Sequence, residues 1–133
     1  YITRSKRSAA KAVLLDAANR LERNYTTHGC YNKTTAAKCQ SQAAGDAYSV
    51  DAAAPAEGKA SYRITAASLD SQSFTLVATP CGMTGASCSA GSDPFTDADC
   101  LKLTLTSTGD KGLRNAADTD SNDMEKVARC WQR

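Results

Sequence analysis

The sequence predicts an α+β fold in which one N-terminal amphipathic helix packs on an antiparallel β-sheet. Three observations over the 133 residues carry that reading. A single apolar stripe runs at helical spacing through residues 3–28, three later runs alternate apolar and polar side chains, and six cysteines punctuate the polar stretches between them. The length suits one domain, residues 1–133, and the near balance of charge, +2 overall, argues against wholesale disorder. The core must be thin. Of the 41% apolar residues, 24 are alanine and 6 are cysteine, which leaves 25 larger apolar side chains. Cross-links therefore matter, since a native disulfide typically contributes roughly 2–4 kcal/mol.

In the first element, Ala10, Leu14, Ala17, Leu21 and Tyr25 fall at steps of four, three, four and four, while Arg4, Arg7 and Lys11 line another face. Good helix formers dominate, with neither Pro nor Gly inside. His28-Gly29 supplies the stop, because glycine takes the left-handed conformation readily and an imidazole suits the negative end of the helix dipole. Residues 29–60 turn to Ala, Thr, Gln, Gly and Asp with little periodicity and read as a long connecting loop. S-Y-R-I-T-A-A (61–67), S-F-T-L-V-A-T (73–79) and L-K-L-T-L-T-S (101–107) then read as strands, with Tyr62, Ile64 and Ala66, Phe74, Leu76 and Ala78, and Leu101, Leu103 and Leu105 on their apolar faces. The opposite faces are mostly Ser, Thr and Lys, the pattern of a sheet covered on one side. Residues 80–99 form a turn-rich excursion between the last two strands. Asn122, with Glu125 three residues on, reads as the cap of a short helix over 123–130.

The cysteines at 30, 39, 81, 88, 100 and 130 include no C-x-x-C pair, and His28 is the only histidine, so disulfides are favoured over zinc. Six cysteines allow 15 connectivities. Proximity favours Cys30 with Cys39 and Cys81 with Cys88, each closing a short polar loop, which leaves Cys100 with Cys130. Oxidised cysteines suit a periplasmic or extracellular protein. The start of the sequence, Y-I-T-R-S-K-R-S-A-A-K, carries four cations and no apolar leader.

The basic helix with R-S-K-R near its start and L-L-D-A-A-N-R-L-E-R-N-Y over 14–25, the strand F-T-L-V-A-T-P over 74–80, D-A-D-C-L-K-L-T-L-T-S-T-G-D-K-G over 97–112 and the final C-W of 130–131 together resemble the type IV pilin family, most nearly its PilE-like minor pilins. The resemblance implies a minor pilus subunit that takes part in pilus assembly or initiation and thereby in twitching motility, adhesion or DNA uptake. Its fold would be a helix on a four-stranded antiparallel sheet, with an αβ-loop at about 29–60 and a "D-region" over 100–130 closed by Cys100 and Cys130. It also implies a cleaved leader and an apolar half-helix ahead of Tyr1, where the helix would leave the membrane or the filament core. The partners implied are other pilins, the assembly machinery and the inner membrane of a Gram-negative cell before assembly into an extracellular pilus. The pairs Cys30/Cys39 and Cys81/Cys88 depart from the family pattern.

No cofactor and no catalytic constellation is expected. A Ser-His-Asp triad would need His28, which reads as a helix-end group, and Glu22 stands between Arg20 and Arg23 as a solvated charge. Asp118, Asp120 and Asn122 alternate like calcium-loop ligands, but Asp123 and Arg129 stand where an EF-hand needs Gly and Glu. A looser oxygen cage is set against a solvated turn leading into the helix. Lys126, Arg129 and Arg133 share one face if their segment is helical, and with Trp131 they offer the cations and aromatic ring that single-strand DNA binders use. The competing role for Trp131 is packing on the disulfide. Arg4, Lys6, Arg7 and Lys11 are expected to meet acids of neighbouring subunits or solvent. The sequons at Asn24 and Asn32 are incidental in a bacterial pilin. The alternatives carried forward are a pilus-displayed DNA receptor for competence, a type II secretion pseudopilin-like subunit and a free secreted binder.

Overall fold

The computed structural model describes residues 2–55 and 57–132, so Tyr1 and Arg133 lie outside the described residues. Helix α1 (Ile2–His28) buries Ala10, Leu14, Ala17 and Leu21, the stripe read from the sequence, with Tyr25 partly buried beside them. It stops at Gly29, whose φ of 98° lies in the left-handed region and whose N–H donates to the Tyr25 carbonyl. The sheet is antiparallel throughout, in the order β1 (Asp51–Ala54), β2 (Tyr62–Leu69), β3 (Phe74–Pro80), β4 (Lys102–Thr106) and β5 (Lys111–Arg114). Tyr62, Ile64, Phe74, Leu76, Ala78, Leu103, Leu105 and Leu113 face the helix and complete the core.

The sheet thus has five strands, against three read from periodicity and four implied by the resemblance. β1 was hidden because Asp51-Ala52-Ala53-Ala54 has no alternation of polarity; its pairing, Ala52 opposite Ile64, is a tertiary matter. β5 is only Lys-Gly-Leu-Arg and was equally unreadable. The 29–60 stretch also holds a short helix, α2 (Ala36–Ser41), capped by Thr35, whose hydroxyl accepts from the Lys38 N–H, and ended by Gln42 in the left-handed region. Leu101 is not a strand residue. It sits just before β4 with φ 59°, so only Leu103 and Leu105 join the core face. The face away from α1 is less solvated than expected: Val77, Thr79, Lys102 and Thr104 are buried there. The last helix, α3 (Met124–Trp131), is capped by Asp123, which accepts from the Lys126 N–H, and not by Asn122.

All three expected disulfides form: Cys30–Cys39, Cys81–Cys88 and Cys100–Cys130. The first holds the chain just after α1 against α2. Around it, the Tyr31 ring lies between Tyr25 and Phe74, at centroid distances of 4.7 and 4.9 Å. Its hydroxyl donates to Glu22, which is therefore a bonded carboxylate and not merely a solvated one. Burial, and then this bond, push the Tyr31 hydroxyl up to about 12. The amides of Asn24 and Asn32 are likewise spent, on the Cys30 and Lys33 carbonyls and on Gln42.

Two of the four cations at the start of α1, Lys6 and Arg7, find acids within the same chain instead of on neighbouring subunits or in solvent. Arg7 makes a two-pronged bond to Asp97, Nε to Oδ2 at 2.5 Å and NH2 to Oδ1 at 2.8 Å, and the Asp97 side chain is 2% exposed. Lys6 pairs with Asp93, which also accepts from the Ser61 hydroxyl. Asp97 Oδ1 further accepts the backbone N–H of Asp99 and Cys100, and the Tyr62 hydroxyl stands 3.5 Å from Oδ2. Burial alone would raise the Asp97 pKa, but the Arg7 guanidinium and the two N–H donors outweigh it and hold the carboxyl below its ordinary value.

Breaking this pair leaves Arg7 half-sheltered without its counter-charge, so Asp97→Ala should lower unfolding stability by about 3 kcal/mol in chemical denaturation. A depressed carboxyl pKa contributes stability that is complete above the unfolded value of about 3.9 and is lost as pH falls through the folded value. The thermal midpoint of the wild type should therefore fall more steeply below about pH 4 than that of Asp97→Asn. Removing the 30-residue closure with Cys100→Ser and Cys130→Ser together should cost roughly 2–5 kcal/mol, read as a lower denaturant midpoint.

Candidate nucleic-acid interface

α3 is short because Asp123 starts it and Gln132 leaves it in extended backbone. Val127 and Cys130 point into the core, one turn apart, and the disulfide to Cys100 ties the helix to the entry of β4. Trp131 packs partly buried against the same core and its Nε1–H donates to the Gly112 carbonyl at 2.9 Å. Lys111 Nζ stands 5.6 Å from the Trp131 ring centroid, a cation–π contact. The indole therefore anchors α3 to β5 and stations an ammonium group.

Gly112 has a steric reason to be glycine. It pairs with Thr104 across β4 and β5, and a Cβ placed there would stand 2.8 Å from the Thr104 hydroxyl.

Cations from three elements converge around α3. Lys11 of α1 donates to the carbonyl of Gln132. Desolvation first, and then the neighbouring charges of Arg7 and Lys111, lower the Lys11 pKa, which records how close these cations lie. Arg129 reaches Asp99 at 3.1 Å while staying more than half exposed. Lys126 has no side-chain partner among the described residues and lines a cavity of about 140 Å³ together with Arg114, Leu101 and Asn115. A second groove of about 280 Å³, on the sheet face away from α1, has a floor of Thr75, Thr104 and Thr106 and a rim of Lys111, Arg114 and the exposed Met124. Of the residues predicted to meet nucleic acid, Lys126, Arg129 and Trp131 thus lie on one short helix, and Arg133 is outside the described residues. Lys111 and Arg114 escaped sequence reading because β5 itself did.

Asp118 bonds Lys102 at 2.7 Å and Asp120 bonds Arg114 at 2.7 Å, so their carboxylates are spent on cations and aim at different partners. Among the described residues the one cluster with ligand spacing is Asp99 with Cys100 and Cys130, whose sulfurs are already joined to each other.

The Gly112 contact can be tested directly. Gly112→Ala should destabilise the protein by about 1–3 kcal/mol through overpacking, and Thr104→Ala in the same chain should restore most of the loss; a double-mutant cycle by denaturant titration reads the coupling.

Among the described residues no helix is long and apolar enough to cross a membrane. Among curated proteins none matches the chain. Residues 1–104 match the family model described as "Type IV minor pilin ComP, DNA uptake sequence receptor", a stretch that runs from α1 into β4 and stops short of β5 and α3. The pilin resemblance read from the sequence is thereby upheld at the level of the family, with ComP as the group matched and nothing that singles out PilE-like pilins. Helix on antiparallel sheet, disulfide-closed C-terminal segment and family match agree: the chain belongs to the type IV minor pilins of the ComP family.

Proposed function

We propose that this pilin head is a DNA receptor displayed on a type IV pilus, and that the surface along α3 meets the DNA. The observation that carries the reading is the gathering of Lys111, Arg114 and Lys126 around the two grooves that flank α3, with the more than half-exposed Arg129 on the same helix, in a chain whose family is described as a DNA uptake sequence receptor. Cations so placed contact phosphates, neutralise them and release counterions, which supplies affinity and a strong salt dependence. Trp131 serves by holding Lys111 in place: with its Nε1–H given to Gly112 and its ring packed on the core, it is poorly disposed to stack an unpaired base. This favours the backbone of duplex DNA over single strands. Arg133, three residues beyond C-terminal Cys130, extends the same basic run in sequence. The protein works by association, without catalysis. An apolar half-helix continuing α1 towards its N-terminus would hold the subunit in the inner membrane before assembly and pack among other pilins afterwards.

The test is a titration of this head with labelled duplex and single-stranded oligonucleotides at about 50 and about 200 mM salt, beside Lys111→Ala/Lys126→Ala/Arg129→Ala. Duplex binding that weakens steeply with salt is expected, and the triple variant should flatten the log–log slope by up to about 3, near 0.9 per lost phosphate contact. Duplex binding unchanged in the variant would move the interface elsewhere on the head, and no binding at low salt would leave a filament subunit without a receptor role.

A further inference from the structure

Lys102 and Arg114 stand directly opposite each other in the β4–β5 pair. Like charges in that position destabilise a sheet unless something neutralises them. The segment 115–121 does so: Asp118 meets Lys102 and Asp120 meets Arg114, each at 2.7 Å. The two ends of these bonds differ sharply. The Lys102 and Arg114 side chains are 8% and 21% exposed, whereas Asp118 and Asp120 are 62% and 73% exposed. The cations are built into the sheet, and the carboxylates lie over them from outside.

The segment that brings these carboxylates is largely self-supporting. Asn115 Oδ1 accepts the N–H groups of Ala117 and Thr119, and Asp118 takes the left-handed conformation at φ 60° that Asp and Asn tolerate. The Asn115 N–H closes the loop on itself at the Thr119 carbonyl; apart from the two ion pairs, the ties to the sheet are at the C-terminal end, the Ser121 N–H to the Leu113 carbonyl and the antiparallel bridge of Asp120 with Arg114. Arg114, Asp120 and Ser121 line both grooves beside α3, so the clasp stands between the two grooves and outside the core. Ion pairs with one exposed partner are screened by solvent and contribute little.

We infer that Lys102 and Arg114 form a latent phosphate site in which Asp118 and Asp120 are the resident anions, displaced when backbone phosphates of a nucleic acid reach the α3 surface. The inference rests on the receptor reading and adds its regulation. The loop carboxylates compete with DNA for two cations, which lowers affinity for any passing polyanion and reserves those contacts for a ligand already held by Lys111 and Lys126.

Asp118→Asn/Asp120→Asn removes the competing charges while keeping a residue that tolerates the left-handed backbone. Glu57→Gln/Asp70→Asn changes the net charge equally at exposed positions outside the ion pairs. Titrated with labelled duplex, the first variant should bind roughly tenfold tighter than wild type with a log–log salt slope steeper by about 1 to 2, and adding Arg114→Gln should cancel most of the gain. An equal gain in the charge-matched control, or none in the first variant, would overturn the inference where wild type binds duplex. Should wild type and variants bind no duplex, which defeats the receptor reading itself, inorganic phosphate decides. Amide resonances of 115–121 and Arg114 that shift on phosphate addition in Asp118→Asn/Asp120→Asn, and less in wild type, would sustain the latent site, and unmoved resonances would end it.

Discussion

The Arg7–Asp97 pair is the constraint on which the distant parts of the structure converge. One carboxylate accepts two bonds from α1, two from the backbone of the turn that follows it, and lies beside the hydroxyl of Tyr62 in β2. A charge so deeply placed is tolerable only because its lone pairs are filled, and a fully bonded buried network specifies one arrangement where a purely apolar contact would allow several. The turn that Asp97 organises delivers Cys100 to Cys130 and so sets where α3 begins its attachment to the body. From there Trp131 reaches Gly112, and Lys111 comes to rest over the indole. The position of the basic surface is thus traceable, contact by contact, to an arginine near the start of the first helix.

A thin apolar core explains why so much of this stitching is polar or covalent. The α1 stripe contributes two leucines and two alanines as its buried residues, and the strands add a single layer opposite them. Disulfides fasten the three regions that lack a core of their own: the segment after α1, the 81–99 excursion and the C-terminal helix. This division suits a pilus subunit. The helix and sheet make a stable frame, while the loops and α3 are free to carry recognition without being needed to bury large apolar surface.

Charge on the C-terminal part is nearly balanced by design of the fold, since Arg129, Lys102 and Arg114 each face an aspartate. Net charge gives no hint of a nucleic-acid surface for that reason. What matters is the asymmetry within the Lys102–Asp118 and Arg114–Asp120 pairs, with sheltered cations set in strands and exposed acids set on a loop. On the proposed reading, phosphates would approach from the same side as those acids, and binding would be an exchange of anions more than the filling of an empty site.

The helix, the three main strands and the cysteine pairing were legible because each rests on local or composition-level regularities: period 3.6 in 3–28, period 2 in 61–67, 73–79 and 101–107, and proximity along the chain for Cys30/Cys39 and Cys81/Cys88. The basic residues near the end and the ambiguous role of Trp131 were visible too. Two edge strands, α2 and the acids that hold Lys6 and Arg7 were not, because Ala52, Gly112 and Asp97 acquire their roles only from partners many residues away. The partners of the alternating acids of 118–122 were hidden for the same reason, since only the folded sheet brings Lys102 to Asp118 and Arg114 to Asp120. The sequence by itself thus determined the elements whose stability is written in residue periodicity. The tertiary structure decided which charges meet, because an ion pair depends on distance in space and leaves no period in the chain.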